Sequence, residues 1–105
     1  MRFFEYNLFE ENAKSLAESV IDHIKSGGKI KWLCCLNPHS FELSRIDKPF
    51  QRALMESSWL LTDGSGIVLA AKILQLRPCV RITGYDAFQE IMTALDTVGG
   101  KVFLF

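Results

Sequence analysis

The chain has no excess of charge of either sign. Twelve Lys and Arg stand against twelve Asp and Glu, seven of each through Phe50 and five of each after it. A polyanion-binding face is therefore not indicated, and no nucleic-acid partner is expected. Cysteine is scarce: Cys34, Cys35 and Cys79 make an odd count, and two of them are adjacent in an apolar run. No C-x-x-C spacing occurs, which argues against a disulfide framework and a zinc site and favours a reducing compartment. No stretch reaches the ~20 apolar residues that a membrane helix needs. The first eleven residues break their hydrophobes with Arg2, Glu5, Glu10 and Glu11, unlike a signal peptide. Proline is limited to three residues, and repeats, linkers and low-complexity segments are absent.

What is present is ordinary globular material: 105 residues, 49% hydrophobic, 11% aromatic and 23% charged. That length suits at most one domain. Ala13, Leu16, Ala17, Val20, Ile21 and Ile24 fall on one face at helical spacing, and Ser26-Gly27-Gly28 closes the run. Lys29 to Leu36 reads as a strand covered on both faces. Short helices are expected over Ser40 to Arg45 and over Asp47 to Ser57, the second with Asp47 as N-cap and Pro49 in its first turn. Trp59 to Thr62 reads as a buried strand, Ile67 to Leu76 as a helix and Cys79 to Ile82 as an extended piece. A helix opening at Asp86 carries Phe88, Ile91, Met92, Leu95 and Val98, and Gly99-Gly100 stops it before a last strand from Lys101 to Phe105. This run of apolar residues at the end leads to the expectation of a fragment, 1–105 being the N-terminal portion of one α/β domain. The expected fold class is α/β, with alternating helices and mostly parallel strands in a Rossmann-like layered sheet that is incomplete at the C-terminus.

Three polar loops follow strands or precede helices: Asn37-Pro38-His39, Asp63-Gly64-Ser65-Gly66 and Arg81-Ile82-Thr83-Gly84-Tyr85-Asp86. In an open parallel sheet they converge on one edge, where ligands gather. Each has a plainer reading. Asp63-Gly64 is also a hairpin signal, although a helix-like stretch follows it. Gly64-Ser65-Gly66 ahead of a helix allows a ligand close to the backbone and offers free N–H groups to a phosphate. Arg81 suits a bidentate grip on phosphate oxygens, or an ion pair with Asp86. Thr83-Gly84 suits a second phosphate-facing terminus, and Asp86 an N-cap. From Gly64 to Tyr85, Lys72, Arg77 and Arg81 occur with no acid, a hint of an anionic ligand, although Lys72 also fits a solvated helix face. His39 reads as a loop histidine as readily as a ligand contact, and Cys34 and Cys35 read as core.

In order and at these separations, Cys35-Leu-Asn37-Pro-His39, Leu61-Thr-Asp63-Gly-Ser-Gly66-Ile-Val68, Arg81-Ile-Thr-Gly84-Tyr-Asp86 and Lys101-Val-Phe-Leu104 are together similar to the WecG/TagA/CpsF family of bacterial glycosyltransferases. The resemblance covers about Ile30 to the end. It implies an inverting transferase that moves an N-acetylmannosamine-type sugar from a UDP donor to a polyprenyl-diphosphate-linked N-acetylglucosamine, in teichoic acid, common antigen or related surface polysaccharide synthesis. It implies no required metal and no cofactor. It also implies a cytoplasmic location peripheral to the inner membrane face, reached through a C-terminal appendage, and a possible homo-oligomer. By this resemblance Asp63 is the catalytic base. The substrate-binding candidates are Asn37, His39, Gly64, Ser65, Gly66, Arg81, Thr83, Gly84 and Asp86. Many members carry Thr where this chain has Cys35, and a thiol is the weaker hydrogen-bonding group. Two rivals stay open: a non-catalytic module that binds nucleotide or phosphate through Gly64 to Gly66 and Arg81, and an inactive truncated product whose Val102 to Phe105 edge promotes aggregation.

Overall fold

A computed structural model of the protein describes residues 1–74 and 80–103. These form five helices and two small two-stranded sheets. The first sheet is a hairpin of β1 (Arg2–Phe3) and β2 (Tyr6–Asn7), paired antiparallel with Phe3 opposite Tyr6. Both of those rings are buried, whereas Arg2 and Asn7 face outward. The Tyr6 hydroxyl donates to Ser44 Oγ at 2.5 Å, and Ser44 Oγ donates in turn to the carbonyl of Phe41 at 2.6 Å. That chain satisfies the polar groups buried where the hairpin meets the next helical layer.

Helix α1 (Ala13–Ser26) starts on Asn12, whose Oδ1 accepts from Ser15 N at 2.9 Å, and ends on Gly27 in the left-handed conformation. The expected apolar face is the buried one at Leu16, Ala17 and Ile21, and α1 packs along the last helix, α5 (Gly84–Val98). Between them in sequence lie β3 (Leu33–Leu36), α2 (Pro38–Ser44), α3 (Lys48–Glu56), β4 (Trp59–Thr62) and α4 (Ser65–Ile73).

Strands β3 and β4 pair in parallel, Leu33 with Trp59 through Leu36 with Thr62. Side chains alternate across this pair. Trp59 and Leu61 pack with Leu16 of α1, Ile82 and Ala87 of α5. Leu36 and Leu60 pack on the opposite face with the hairpin, Leu54 of α3, and Ile67 and Ala71 of α4. Helices therefore cover both faces, and β4 is buried along its whole length. The Trp59 indole N–H donates to Ser19 Oγ at 3.0 Å and so ties β4 to α1, while Lys31 Nζ lies 5.5 Å above the ring.

The α/β character is as expected, but the extent of the sheet is not. A single parallel pair, extended by one bridge between Thr62 and Arg81, takes the place of a full layered sheet among the described residues. The strand expected from Lys29 is confined to Leu33–Leu36, because the chain before it is exposed, Ile30 at 92%. The strand expected from Lys101 to Phe105 is not formed over 101–103, where Phe103 is 78% exposed; Leu104 and Phe105 lie outside the described residues. Helices α2, α4 and α5 each begin two residues before their expected starts, since Pro38 and two glycine-containing turns are taken into the first turn. Gln75 to Cys79, with the expected end of α4 and start of the extended piece, lie outside the described residues. Among the described residues no helix is long and apolar enough to cross a membrane.

Candidate functional site

Parallel pairing brings the three polar loops to one edge. Asp63 N donates to Leu36 O at 3.0 Å, and Ile82 N donates to Thr62 O at 2.9 Å. The chain thus leaves β3 at Asn37, β4 at Asp63 and the bridged segment at Thr83 from the same end of neighbouring strands. Each exit runs directly into a helix, α2, α4 or α5. The hairpin reading of Asp63-Gly64 does not hold, because α4 follows instead of a returning strand.

The three starts are capped differently. Asn37 Oδ1 accepts from Ser40 N at 2.8 Å, and Asn37 N donates to Ser40 Oγ at 2.9 Å. Thr83 Oγ1 accepts from Asp86 N at 3.0 Å, and Thr83 N donates to Asp86 Oδ2 at 3.3 Å. Both are capping boxes, which satisfy helix-end donors reciprocally. These bonds engage Thr83 and Asp86 in starting α5, and the alternative ion pair between Arg81 and Asp86 is not formed among the described residues. Helix α4 differs, since its N-cap is Gly64 and no side chain caps it. Its first N–H groups are open to a ligand, and the helix dipole places partial positive charge there.

Two glycines make this turn possible. Gly64 has φ 109°, a conformation that L side chains rarely adopt. At Gly66 an added Cβ would lie 2.6 Å from Pro38 Cγ. The first and second loops are therefore in direct contact, with Pro38 seated against the opening turn of α4.

Asp63 is half-buried, and its carboxylate accepts no hydrogen bond among the described residues. It does act on Cys35. Burial pushes the Cys35 thiol above its ordinary pKa, and the negative charge of Asp63 and the neighbouring Cys34 push it the same way. Burial raises the Cys34 thiol too. Cys35 thus stands beside the candidate base as a neutral thiol, a role its apolar surroundings in the sequence do not signal. Arg81 and His39 are exposed at the same edge, Arg81 on the strand bridge and His39 in the first turn of α2, while Ser65, Gly66 and Gly84 open α4 and α5. Lys72 is exposed on α4. Thr62, 1% exposed, keeps a buried Oγ1 without a hydrogen-bond partner just before Asp63.

Beside this edge is a groove that the sequence patterns do not reveal. It has a volume of about 510 Å³ and is lined by residues of the hairpin, α2 and α4, Pro38 and Gly66 among them. Two of its aromatic rings, Phe3 and Phe4, come from the N-terminal segment, where strands of two residues are too short to show a period.

A curated relative, the N-acetylglucosaminyldiphosphoundecaprenol N-acetyl-beta-D-mannosaminyltransferase of Bacillus subtilis (strain 168), is 29% identical over 70 residues, which is 67% of this chain and 27% of that protein. The match thus spans about a quarter of the relative's length. No solved structure matches the chain. The family described as Glycosyl transferase WecG/TagA/CpsF matches over residues 1–105, and so takes in the three loops and the elements that bring them together. By that match across its whole length, the chain belongs to the WecG/TagA/CpsF family of glycosyltransferases.

Proposed function

We infer that the protein transfers an N-acetylmannosamine-type sugar from a UDP donor to a polyprenyl-diphosphate-linked N-acetylglucosamine with inversion, in the synthesis of a cell-surface polysaccharide such as teichoic acid. Its similarity to the Bacillus subtilis transferase supports this acceptor class. The observation that carries the reading is the pairing, at one sheet edge, of the Asp63 carboxylate with the open N-terminus of α4.

The chemistry follows from those two groups. Asp63 takes the proton of the acceptor hydroxyl as its oxygen attacks the anomeric carbon, and the bond to the diphosphate breaks with both electrons going to departing UDP. One positioned carboxylate suffices, whereas a glycosidase generally uses two. The α4 N–H groups and the Arg81 guanidinium stabilise the negative charge that develops on the diphosphate. Asn37 keeps its amide N–H2 available to a sugar hydroxyl, because its carbonyl oxygen holds the α2 cap. His39, Gly64, Ser65, Gly66, Thr83, Gly84 and Asp86 shape or line the same edge. In this reading residues 1–105 belong to one α/β catalytic domain, whose parallel pair is part of a larger Rossmann-like sheet. The protein works on the cytoplasmic side of the membrane as a peripheral enzyme.

The test is Asp63→Asn in protein expressed from the entire coding sequence, assayed with UDP-sugar and lipid-linked acceptor. Transfer should fall about 10²–10⁴-fold, the usual contribution of a general base, with donor binding and thermal melting retained. Turnover within a few-fold of the parent would overturn the assignment. UDP binding without any turnover by the parent protein would favour a non-catalytic module.

A further inference from the structure

We propose that the groove between the hairpin, α2 and α4 holds the first isoprene units of the lipid-linked acceptor; this rests on the transferase reading. The groove is walled by Phe3, Phe4, Phe41, Ile67, Ile73 and Leu74, and among the described residues the one charged side chain along it is the exposed Glu42. Such a lining offers nothing to a nucleotide, a phosphate or a sugar, each of which carries polar groups that need partners. It fits an apolar chain.

Three observations select the acceptor's lipid as that chain. First, the groove adjoins the candidate site, since its lining includes Pro38 and Gly66, which approach each other between Asn37 and the opening turn of α4. An acceptor whose sugar hydroxyl meets Asp63 has this groove as an adjoining apolar surface. Second, of the two substrates only the acceptor has an apolar part, so the donor cannot fill the groove. Third, the aromatic wall is held open at a conformational cost. Phe4 is the one non-glycine residue with positive φ among the described residues, at 53°, a strained setting for a bulky side chain. Its ring is 53% exposed and packs edge-on against Phe3, with centroids 5.0 Å apart, and tilted against Phe41 at 5.3 Å. The turn thus displays an aromatic ring along the groove where a glycine would be relaxed.

The test is the double variant Phe4→Gly and Ile73→Gln in protein from the entire coding sequence. Both positions are exposed, and glycine accepts the Phe4 backbone. The KM for a polyprenyl-diphosphate-linked acceptor should rise about tenfold, equivalent to about 1.4 kcal/mol. The KM for the same head group on a short alkyl chain, and the KM for the donor, should be unchanged. Direct binding of polyprenyl diphosphate should weaken by a similar factor. Equal effects on long and short acceptors, or none on either, would overturn the proposal. So would a variant that loses vesicle binding or changes its sedimentation mass while keeping its preference for the long chain, because the groove would then meet a bilayer or a second copy. If the parent protein binds polyprenyl diphosphate through the groove but transfers no sugar, the transferase reading fails and the groove stands. If it transfers sugar but the variant binds polyprenyl diphosphate as before, the groove fails and the transferase reading stands.

Discussion

Asp63 and Cys35 are the two side chains whose chemistry is coupled at the sheet edge. Cys35 pairs with Leu61 in the parallel register, two residues before Asp63, and the alternation of β4 points all three toward the same face. The negative charge of Asp63 disfavours the Cys35 thiolate, adding to the larger effect of burial. Removing that charge in Asp63→Asn should therefore lower the Cys35 pKa. The rate of iodoacetamide alkylation at Cys35, followed by mass spectrometry from neutral to alkaline pH, should then rise at lower pH in the variant than in the parent. An unshifted profile would mean that the carboxylate does not face the thiol. Asp-Gly before a helix-like run marked Asp63 in the sequence as a turn or cap as readily as a site residue, and its part as the base came only from the family resemblance. Its neighbour was read as core, which fits its half-burial but not its electrostatic contact, because the register between two strands 26 residues apart cannot be read from local pattern.

At the scale of elements, the helix starts determine how the loops are arranged. Residue chemistry announced one cap directly: Asp47 caps α3 through Phe50 N at 3.0 Å, as expected from Asp before Lys-Pro. Thr83 and Asp86 were recognised as polar residues at a helix start, and they cap one another instead of facing outward. The contact that locks α2 to α4 was not legible, since it joins Pro38 to Gly66 across 28 positions. Gly66→Ala places a methyl group against the proline ring and should destabilise the protein by about 1–3 kcal/mol, as overpacking does. Pro38→Ala removes the opposing ring, so the double variant should recover a large part of that loss in a double-mutant cycle read by denaturant melts. Simple additivity would show that the two side chains do not meet.

At the scale of the molecule, β4 divides two apolar clusters and belongs to both. Its four apolar or β-branched residues in a row correctly signalled a buried strand. The expected strand failed for Lys29 to Trp32 and for Lys101 to Phe103, where Ile30 and Phe103 stay exposed; burial is a property of the assembled layers and not of the run itself. Leu61, fully buried between α1 and α5, is the sensitive position. Leu61→Ala should cost about 3 kcal/mol, and the equivalent change at the exposed Ile30 should cost less than about 0.5 kcal/mol, both measured by denaturant unfolding. Equal losses at the two sites would contradict the layering.

The hydrogen bond from the Trp59 indole to Ser19 also has an optical consequence. The chain holds two tryptophans, one buried in β4 and the other, Trp32, 42% exposed. In a Trp32→Phe protein the remaining indole reports on a single event, the separation of α1 from the sheet. Its emission should be blue-shifted in the native state and move red as urea strips α1 away. A solvent-like red emission before any denaturant is added would show that the α1 side of the core is open.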